Sequence, residues 1–137
     1  MLLYWWLKKR EREKPRALTV KFKPVQNQDT NQFSSVMQFM TNHYMNPLIS
    51  VSFVCDQLGI SEATLNSEIN KASSLTFKLL LNQLRIEEAK RLLLHTDSKI
   101  SLIAQIVGYE NVTHFNRTFK KETQQSPSAY RTTAQPQ

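Results

Sequence analysis

Beyond residue 30, apolar residues recur with the period of an α-helix. In the first such stretch they stand at i, i+3, i+4, i+7 and i+11, at Phe33, Val36, Met37, Met40 and Tyr44. Pro47 is expected to end that helix. The same spacing predicts further helices at about 51–58, 62–71, 76–95, 100–107 and 111–123, and a last turn that opens with Ser126-Pro127. The chain beyond residue 30 is therefore predicted to be all-α.

The first 30 residues follow a different pattern. Met1 to Leu7 are apolar and include three consecutive aromatic residues, and a run rich in Lys and Arg follows. Seven apolar residues are too few to cross a bilayer, which needs about 20, but this order is typical of the cytoplasmic end of a membrane span. Residues 1–14 are therefore the flank of a span in a longer protein, an amphipathic surface anchor, or a soluble helix that docks on a partner. Residues 15–30, polar and with two prolines, are predicted to be a linker.

An internal repeat of about 50 residues contains both glycines of the chain. Gly59 and Gly108 each follow a short predicted helix, and a small residue, Cys55 or Ala104, stands four positions before each. With one extra residue in the second copy, positions 65, 66, 69 and 71 align with 115, 116, 119 and 121. Each copy predicts a helix-turn-helix: the small residue lets two helices approach, and the glycine supplies a left-handed turn. The outward face of each second helix is then free to lie in a DNA major groove.

Residues 48–131 resemble the AraC/XylS-type DNA-binding domain of bacterial transcription regulators. The resemblance rests on RIEEAKRLLL at 85–94, IA at 103–104, VGY at 107–109, HFNRTFKK at 114–121 and SPSAYR at 126–131. It implies a homeodomain-like fold of seven helices within residues 31–137. In that fold a long linker helix joins two helix-turn-helix subdomains, at about 50–72 and 99–123, which read successive major-groove segments. The N-terminal segment is more weakly similar to membrane-anchored and hybrid sensor regulators that end in this domain.

The outward positions of the two second helices are the candidate DNA-binding residues. They are Ala63, Asn66 and Ser67 in the first copy and Thr113, His114, Asn116, Arg117, Lys120 and Lys121 in the second. Asn, Ser and Arg side chains can hydrogen-bond base edges, whereas lysines on phosphates position a protein without specifying sequence. The alternative for His114 is local packing against a neighbour of Phe115, and the alternative for the other residues is an ordinary solvated position on a helix.

The two copies differ in charge. Arg117 in the second copy corresponds to Ser67 in the first. Residues 48–77 contain one basic and three acidic residues, a net charge of −2, whereas residues 99–131 contain five and two, a net charge of +3. We therefore expect DNA binding chiefly from the second copy. The family's glycine after each recognition helix is replaced by Ser74 and Gln124, which predicts less sharply turned helix ends.

Composition limits the function further. The net charge of +7 comes mostly from residues 1–24, in which eight Lys and Arg against two Glu give +6, so the basic pI alone does not indicate DNA binding. The chain has a single cysteine, three histidines that lie far apart, and no nucleotide-binding or hydrolase motif. We therefore expect no metal site, no cofactor and no enzymatic activity.

These observations predict a sequence-specific transcription regulator that binds double-stranded DNA. The alternative is a degenerate helix-turn-helix module of a membrane-anchored sensor that binds another protein. RNA polymerase, the membrane and an upstream sensor domain are further candidate partners. The expected location is the cytoplasm, with tethering to the inner face of the membrane if residues 1–14 flank a span.

Overall fold

A computed structural model describes residues 30–134, with side chains from Ser35 onward. This part of the chain forms seven helices: α1 Thr30–His43, α2 Val51–Leu58, α3 Glu62–Ser73, α4 Phe77–His95, α5 Ile100–Ile106, α6 Val112–Thr123 and α7 Pro127–Ala134. The prediction of an all-α, seven-helix fold is confirmed for the described range, although the predicted last turn is an eight-residue helix. The predicted segment 1–14, nearly all of the linker 15–30 and the side chain of Phe33 lie outside the described residues.

Polar side chains fix where several helices begin. Ser50 and Ser61 each accept a hydrogen bond from the backbone N–H three residues later, at 3.1 Å in both cases, and Thr76 does the same at 3.3 Å. These bonds satisfy amide groups that have no partner within the first turn of a helix. At the other end of α2, Gly59 has a φ of 64°, the left-handed conformation expected for that turn.

The ends of α3 and α6 correct a prediction made from the sequence. Ser74 and Gln124 have φ values of 58° and 64°, so both take the left-handed conformation although neither is glycine. The backbone N–H of each donates to the carbonyl four residues earlier, at 2.8 Å. The prediction of less sharply turned ends was therefore wrong.

A hydroxyl group immediately before each of these residues explains why glycine is not required. Ser73 Oγ donates to the carbonyl of Ile69 at 2.6 Å and accepts from the N–H of Leu75 at 3.2 Å. Thr123 Oγ1 makes the equivalent bonds to the carbonyl of Phe119 at 2.8 Å and from the N–H of Gln125 at 3.3 Å. Each hydroxyl joins the last turn of the helix to the segment after it, which stabilises a backbone conformation that costs most residues free energy.

Two hydrophobic cores lie along α4, one on each side of its middle. The first contains buried residues of α1, α2, α3 and the first part of α4 and ends at Leu84. The second begins at Ile86 and contains the rest of α4 with α5 and α6, against which Tyr130 of α7 packs. The inner face of α4 includes six buried apolar residues at helical spacing: Leu80, Leu81, Leu84, Ala89, Leu92 and Leu93. Within residues 30–134, no helix has the length and apolar character that a membrane crossing requires.

Candidate nucleic-acid interface

The two predicted helix-turn-helix units, α2–α3 and α5–α6, close their turns with the same hydrogen bond. The N–H of Ile60, just after Gly59, donates to the carbonyl of Cys55 at 3.2 Å. The N–H of Tyr109, just after Gly108, donates to the carbonyl of Ala104 at 2.9 Å. Cys55 and Ala104 are buried as predicted, and burial raises the pKa of the Cys55 thiol, so the side chain is a neutral packing group.

The second helix of each unit buries the same three positions. In α3 these are Leu65, Glu68 and Ile69, and in α6 they are Phe115, Thr118 and Phe119. Positions i, i+3 and i+4 lie on one face of a helix, so the opposite face of each helix is left in solvent. All nine candidate residues are exposed there: Ala63, Asn66, Ser67, Thr113, His114, Asn116, Arg117, Lys120 and Lys121.

The exposed face of α6 is basic and its start is firmly held. Asn111 Oδ1 accepts hydrogen bonds from the N–H groups of the second and third residues after it, at 2.8 and 3.1 Å. Arg117, Lys120 and Lys121 follow on the exposed side, with Glu122 as the one acidic residue of the helix. Within the part of the chain whose side chains are described, none of these three basic residues takes part in an ion pair. Their charges are therefore free to meet an anionic ligand.

The exposed face of α3 is polar and less acidic than the sequence suggested. Glu68 is only 8% exposed, and its Oε1 lies 3.8 Å from Nζ of Lys71. This carboxylate belongs to the buried side of the helix, three residues after Leu65, so it does not add to the negative charge of the outer face. The i+3 spacing from Leu65 would have predicted its position.

Lys71 is a basic residue of α3 that was not among the candidates. Its side chain is 63% exposed in the last turn of the helix. The internal repeat aligns Lys71 with Lys121, which was a candidate, so the alignment already contained the signal. Lys71 thus places a positive charge on α3 at the position equivalent to Lys121 of α6.

His114 contacts the turn of its own unit. Its ring meets the ring of Tyr109 edge to face, with centroids 5.4 Å apart and an interplanar angle of 75°. Tyr109 is 3% exposed, and its hydroxyl donates to Asn82 Oδ1 of α4 at 3.2 Å. Burial raises the pKa of Tyr109 and the nearby Arg85 charge opposes that rise, so the phenol remains protonated and donates at neutral pH. The start of α6 is thereby connected to α4, the long helix between the two units.

Known proteins are similar to this chain in sequence. A family model described as a helix-turn-helix domain matches residues 54–133. The HTH-type transcriptional activator RhaS of Enterobacter sp. (strain 638) is 30% identical over 107 residues, which are 78% of this chain and 38% of RhaS. The chain therefore spans less than half of the length of that relative.

Solved structures share the fold. The C-terminal domain of AraT, a response regulator from Geobacillus stearothermophilus, has a TM-score of 0.76 and 29% identity, and the match covers 81% of this chain and 92% of that domain. The DNA-binding domain of the global transcriptional factor AdpA, solved in complex with a target DNA, has a TM-score of 0.69 over 74% of this chain and 90% of that one. At 20% identity, AdpA is evidence for the fold alone. RhaS and AdpA are described as transcriptional regulators and AraT as a response regulator, and none of the three as an enzyme.

Proposed function

This chain belongs to the AraC/XylS-type helix-turn-helix family of DNA-binding transcription regulators, and from that premise we propose that α3 and α6 are two recognition helices that read successive major-groove segments of one double-stranded DNA site. The observation that carries the proposal is the common register of the two helices. Each buries i, i+3 and i+4 against its own unit and exposes the candidate residues on the opposite side. An α-helix presented in this way fits the width of the major groove.

The exposed side chains suit the two kinds of DNA contact. Arg117 can make two hydrogen bonds to a guanine, and Asn66 and Asn116 can do the same to an adenine. Lys120 and Lys121 lie in the last turn of α6, where they can neutralise phosphates and hold the helix in register. We therefore assign base reading to the middle of each helix and phosphate contact to its C-terminal turn.

The two units contribute unequally to affinity in this proposal. The candidate positions of α6 include three cations, whereas those of α3 are uncharged. Since phosphate neutralisation dominates the affinity of proteins for DNA, the second unit supplies most of the binding free energy. The first unit supplies shape, register and base contacts through Asn66 and Ser67.

A gel shift as a function of salt tests this function. The probe is a duplex selected from a random pool with the unsubstituted protein, titrated between about 50 and 200 mM salt. We expect the logarithm of the binding constant to fall linearly with the logarithm of the salt concentration, by about 0.9 per phosphate contact. Footprinting should show stronger protection over the half of the site that α6 covers. In the matched variant Lys121→Ala, the slope should fall by about one unit while the preference for the selected duplex is kept.

Two outcomes would contradict the proposal. Failure to select any preferred duplex would exclude sequence-specific binding. Association that does not depend on salt would instead favour the alternative, a helix-turn-helix module that docks on another protein through apolar surface, because such docking releases no counterions.

For the N-terminal segment we propose attachment to an anionic membrane. Residues 1–24 carry eight Lys and Arg against two Glu, and each basic residue near an anionic surface contributes about 1 kcal/mol. The 16 residues from Pro15 to Thr30 would span roughly 50 Å if extended, enough for the helical domain to reach DNA from the cytoplasmic face. The full chain should co-sediment with anionic vesicles at low salt, and a chain lacking residues 1–16 should not. If both remain in the supernatant, the segment is not a membrane element on its own.

We propose further that the chain acts as the output domain of a longer regulator. The match to AraT is to the C-terminal domain of that response regulator, and the chain covers 38% of RhaS. An upstream sensor domain and RNA polymerase are the partners that this arrangement would bring into play. The coding sequence upstream of Met1 tests the first partner directly, because an open reading frame without a sensor domain or membrane span would contradict it.

A further inference from the structure

Arg85 lies at the boundary between the two halves of the fold. It stands in α4 between Leu84, the last residue of the first core, and Ile86, the first residue of the second. The residue is only 8% exposed. A guanidinium group at such a place is costly to bury unless its donors are satisfied, so its partners show what it does.

The hydrogen bonds of Arg85 lead into the first half of the fold. Its Nε donates to the carbonyl of Tyr44 at 2.8 Å, and its Nη2 donates to the carbonyl of Asn46 at 3.0 Å. Both carbonyls belong to the connection between α1 and α2. The planar group thus holds two points of this connection in a fixed geometry, which the ammonium group of lysine could not reproduce.

The same guanidinium also contacts the turn of the second unit. Its Cζ lies 5.3 Å from the centroid of the Tyr109 ring, a cation–π contact. A Cβ atom placed on Gly108 would lie 2.9 Å from Arg85 Nε and 3.0 Å from Cζ. One side chain therefore touches the first half of the fold and the helix-turn-helix turn of the second half.

The two glycines of the repeat differ at this point. Gly59 has the left-handed φ of a helix-ending turn, and a Cβ there would meet nothing within 4 Å. Gly108 has a φ of 101°, and a Cβ there would press into the guanidinium. Glycine at 108 is thus required for close contact with Arg85 as well as for the backbone conformation, which indicates that the contact is built into the turn.

The contact also extends to the recognition helix of the second unit. The Tyr109 ring lies 5.4 Å from the rings of both His114 and Phe115, which stand at the start of α6. A continuous series of contacts therefore runs from the connection before α2, through Arg85 and Tyr109, to α6.

We propose that Arg85 is a positioning residue that fixes the orientation of the first helix-turn-helix unit relative to the second, and that it thereby sets which spacing of two DNA segments the protein accepts. The statement about DNA spacing rests on the proposed function, whereas the statement about orientation does not. Arg85 itself is buried and is not proposed to touch DNA.

The orientation is tested by the distance distribution between two spin labels in the DNA-free protein. Labels attached through Gln57→Cys in α2 and Gln105→Cys in α5 occupy exposed positions, one in each unit. The native thiol is removed by Cys55→Ala, a change that the repeat itself supports because Ala104 occupies the equivalent position. We expect a narrow distribution with Arg85 in place and a broader or displaced one in Arg85→Lys.

Arg131→Lys is the matched control. Arg131 also binds carbonyl groups, those of Leu93, Thr96 and Ser98 at 3.1, 3.2 and 2.7 Å, but all three lie in the second half of the fold. The control should lower thermal stability and leave the inter-label distribution unchanged. Equal broadening in both variants, or none in Arg85→Lys, would overturn the proposal.

A second variant covers the case in which Arg85→Lys does not fold, as judged by far-UV circular dichroism. Gly108→Ala keeps the arginine and drives a methyl group against it. It should displace the distribution in the same way, and a distribution identical to that of the unsubstituted protein would contradict the proposal.

The DNA arm uses the selected duplex and versions of it with one base pair inserted or removed between the two footprinted segments. One base pair rotates one segment relative to the other by roughly 35°. The unsubstituted protein should therefore lose roughly tenfold or more in affinity on the altered duplexes, as expected when two linked sites cannot be engaged together. Arg85→Lys should bind the three duplexes more evenly, and Arg131→Lys should keep the preference. An unchanged spacing preference in Arg85→Lys would overturn the part of the proposal that concerns DNA spacing. Failure to select any duplex would overturn the proposed function. The part that concerns orientation would then be decided by the distances between the spin labels.

Discussion

The two helix-turn-helix units have nearly the same scaffold and different outer faces. Each closes its turn with a bond to a small buried residue, buries the same three positions of its second helix, and ends that helix in a left-handed residue supported by a hydroxyl. On the outside, α6 has Arg117 and Lys120 where α3 has Ser67 and Asn70. The placement of the second helix of each unit and the chemistry of its exposed face are therefore specified by separate sets of residues.

The inner faces show how far this separation goes. Position i+3 of the buried set is Glu68 in α3 and Thr118 in α6, and both are 8% exposed. Glu68 reaches its own helix's Lys71 at 3.8 Å, whereas Thr118 lies close enough to Tyr109 to hydrogen-bond its hydroxyl. Polar groups at this position are thus accommodated in two different ways without changing the path of the helix.

The largest loss of DNA affinity should come from a change at Arg117, where the exposed faces of α3 and α6 differ most. Arg117→Ala should cost about 1–3 kcal/mol of binding free energy on the selected duplex, because a base contact of the guanidinium is lost. The equivalent change in the first unit, Ser67→Ala, is the matched control and should cost less. Titrations against selected and random duplexes measure both. If Arg117→Ala weakens binding to the two duplexes by the same factor, Arg117 contacts phosphate and does not read a base.

A smaller effect should follow when the first unit is given the cation of the second. Ser67→Arg adds a positive charge to the exposed face of α3, and one further phosphate contact should steepen the salt dependence by about 0.9 units. When the salt is lowered from about 200 to about 50 mM, the affinity of Ser67→Arg for any duplex should therefore rise roughly threefold more than that of the unsubstituted protein. Ser67→Gln is the uncharged control for side-chain length. An unchanged salt slope in Ser67→Arg would show that α3 does not approach the DNA backbone at this position.

Most of the fold could be predicted from the sequence because local rules determine it. The period of the apolar residues located the helices, and the two glycines indicated where the first helix of each unit ends. The repeat predicted that Cys55 and Ala104 would be buried, because two helices can approach closely only at a small side chain. These features depend on neighbours in the sequence, so a single sequence contains them.

The features that could not be predicted depend on contacts between distant residues. The role of Arg85 depends on carbonyl groups 41 and 39 positions away in the chain and on Gly108 in the turn of the second unit. No local pattern indicates such contacts. The left-handed Ser74 and Gln124 were missed for a different reason. The rule that glycine ends a helix describes backbone preference, and it does not include the hydroxyl bonds of Ser73 and Thr123 that stabilise the same turn.

The smallest expected effect concerns the free energy of unfolding when Ser74 or Gln124, the left-handed residues after α3 and α6, is replaced by glycine. The two replacements should differ in size. A left-handed conformation costs a non-glycine residue roughly 1–2 kcal/mol, and glycine costs roughly 0.5–1 kcal/mol more chain entropy on folding than alanine. Ser74→Gly should therefore raise the free energy of unfolding by about 0.5 kcal/mol.

Gln124→Gly should raise the free energy of unfolding by less than Ser74→Gly does. The side-chain amide of Gln124 also donates to the carbonyl of Lys121 at 3.0 Å, and that bond would be lost. Denaturant titration of both variants measures the difference, and Ser74→Ala, which keeps the strained backbone, serves as the control. If Ser74→Gly is less stable than the unsubstituted protein, the hydroxyl of Ser73 removes the strain at Ser74 altogether. The turn after α3 would then be determined by that side chain and not by the conformational freedom of the residue that makes it.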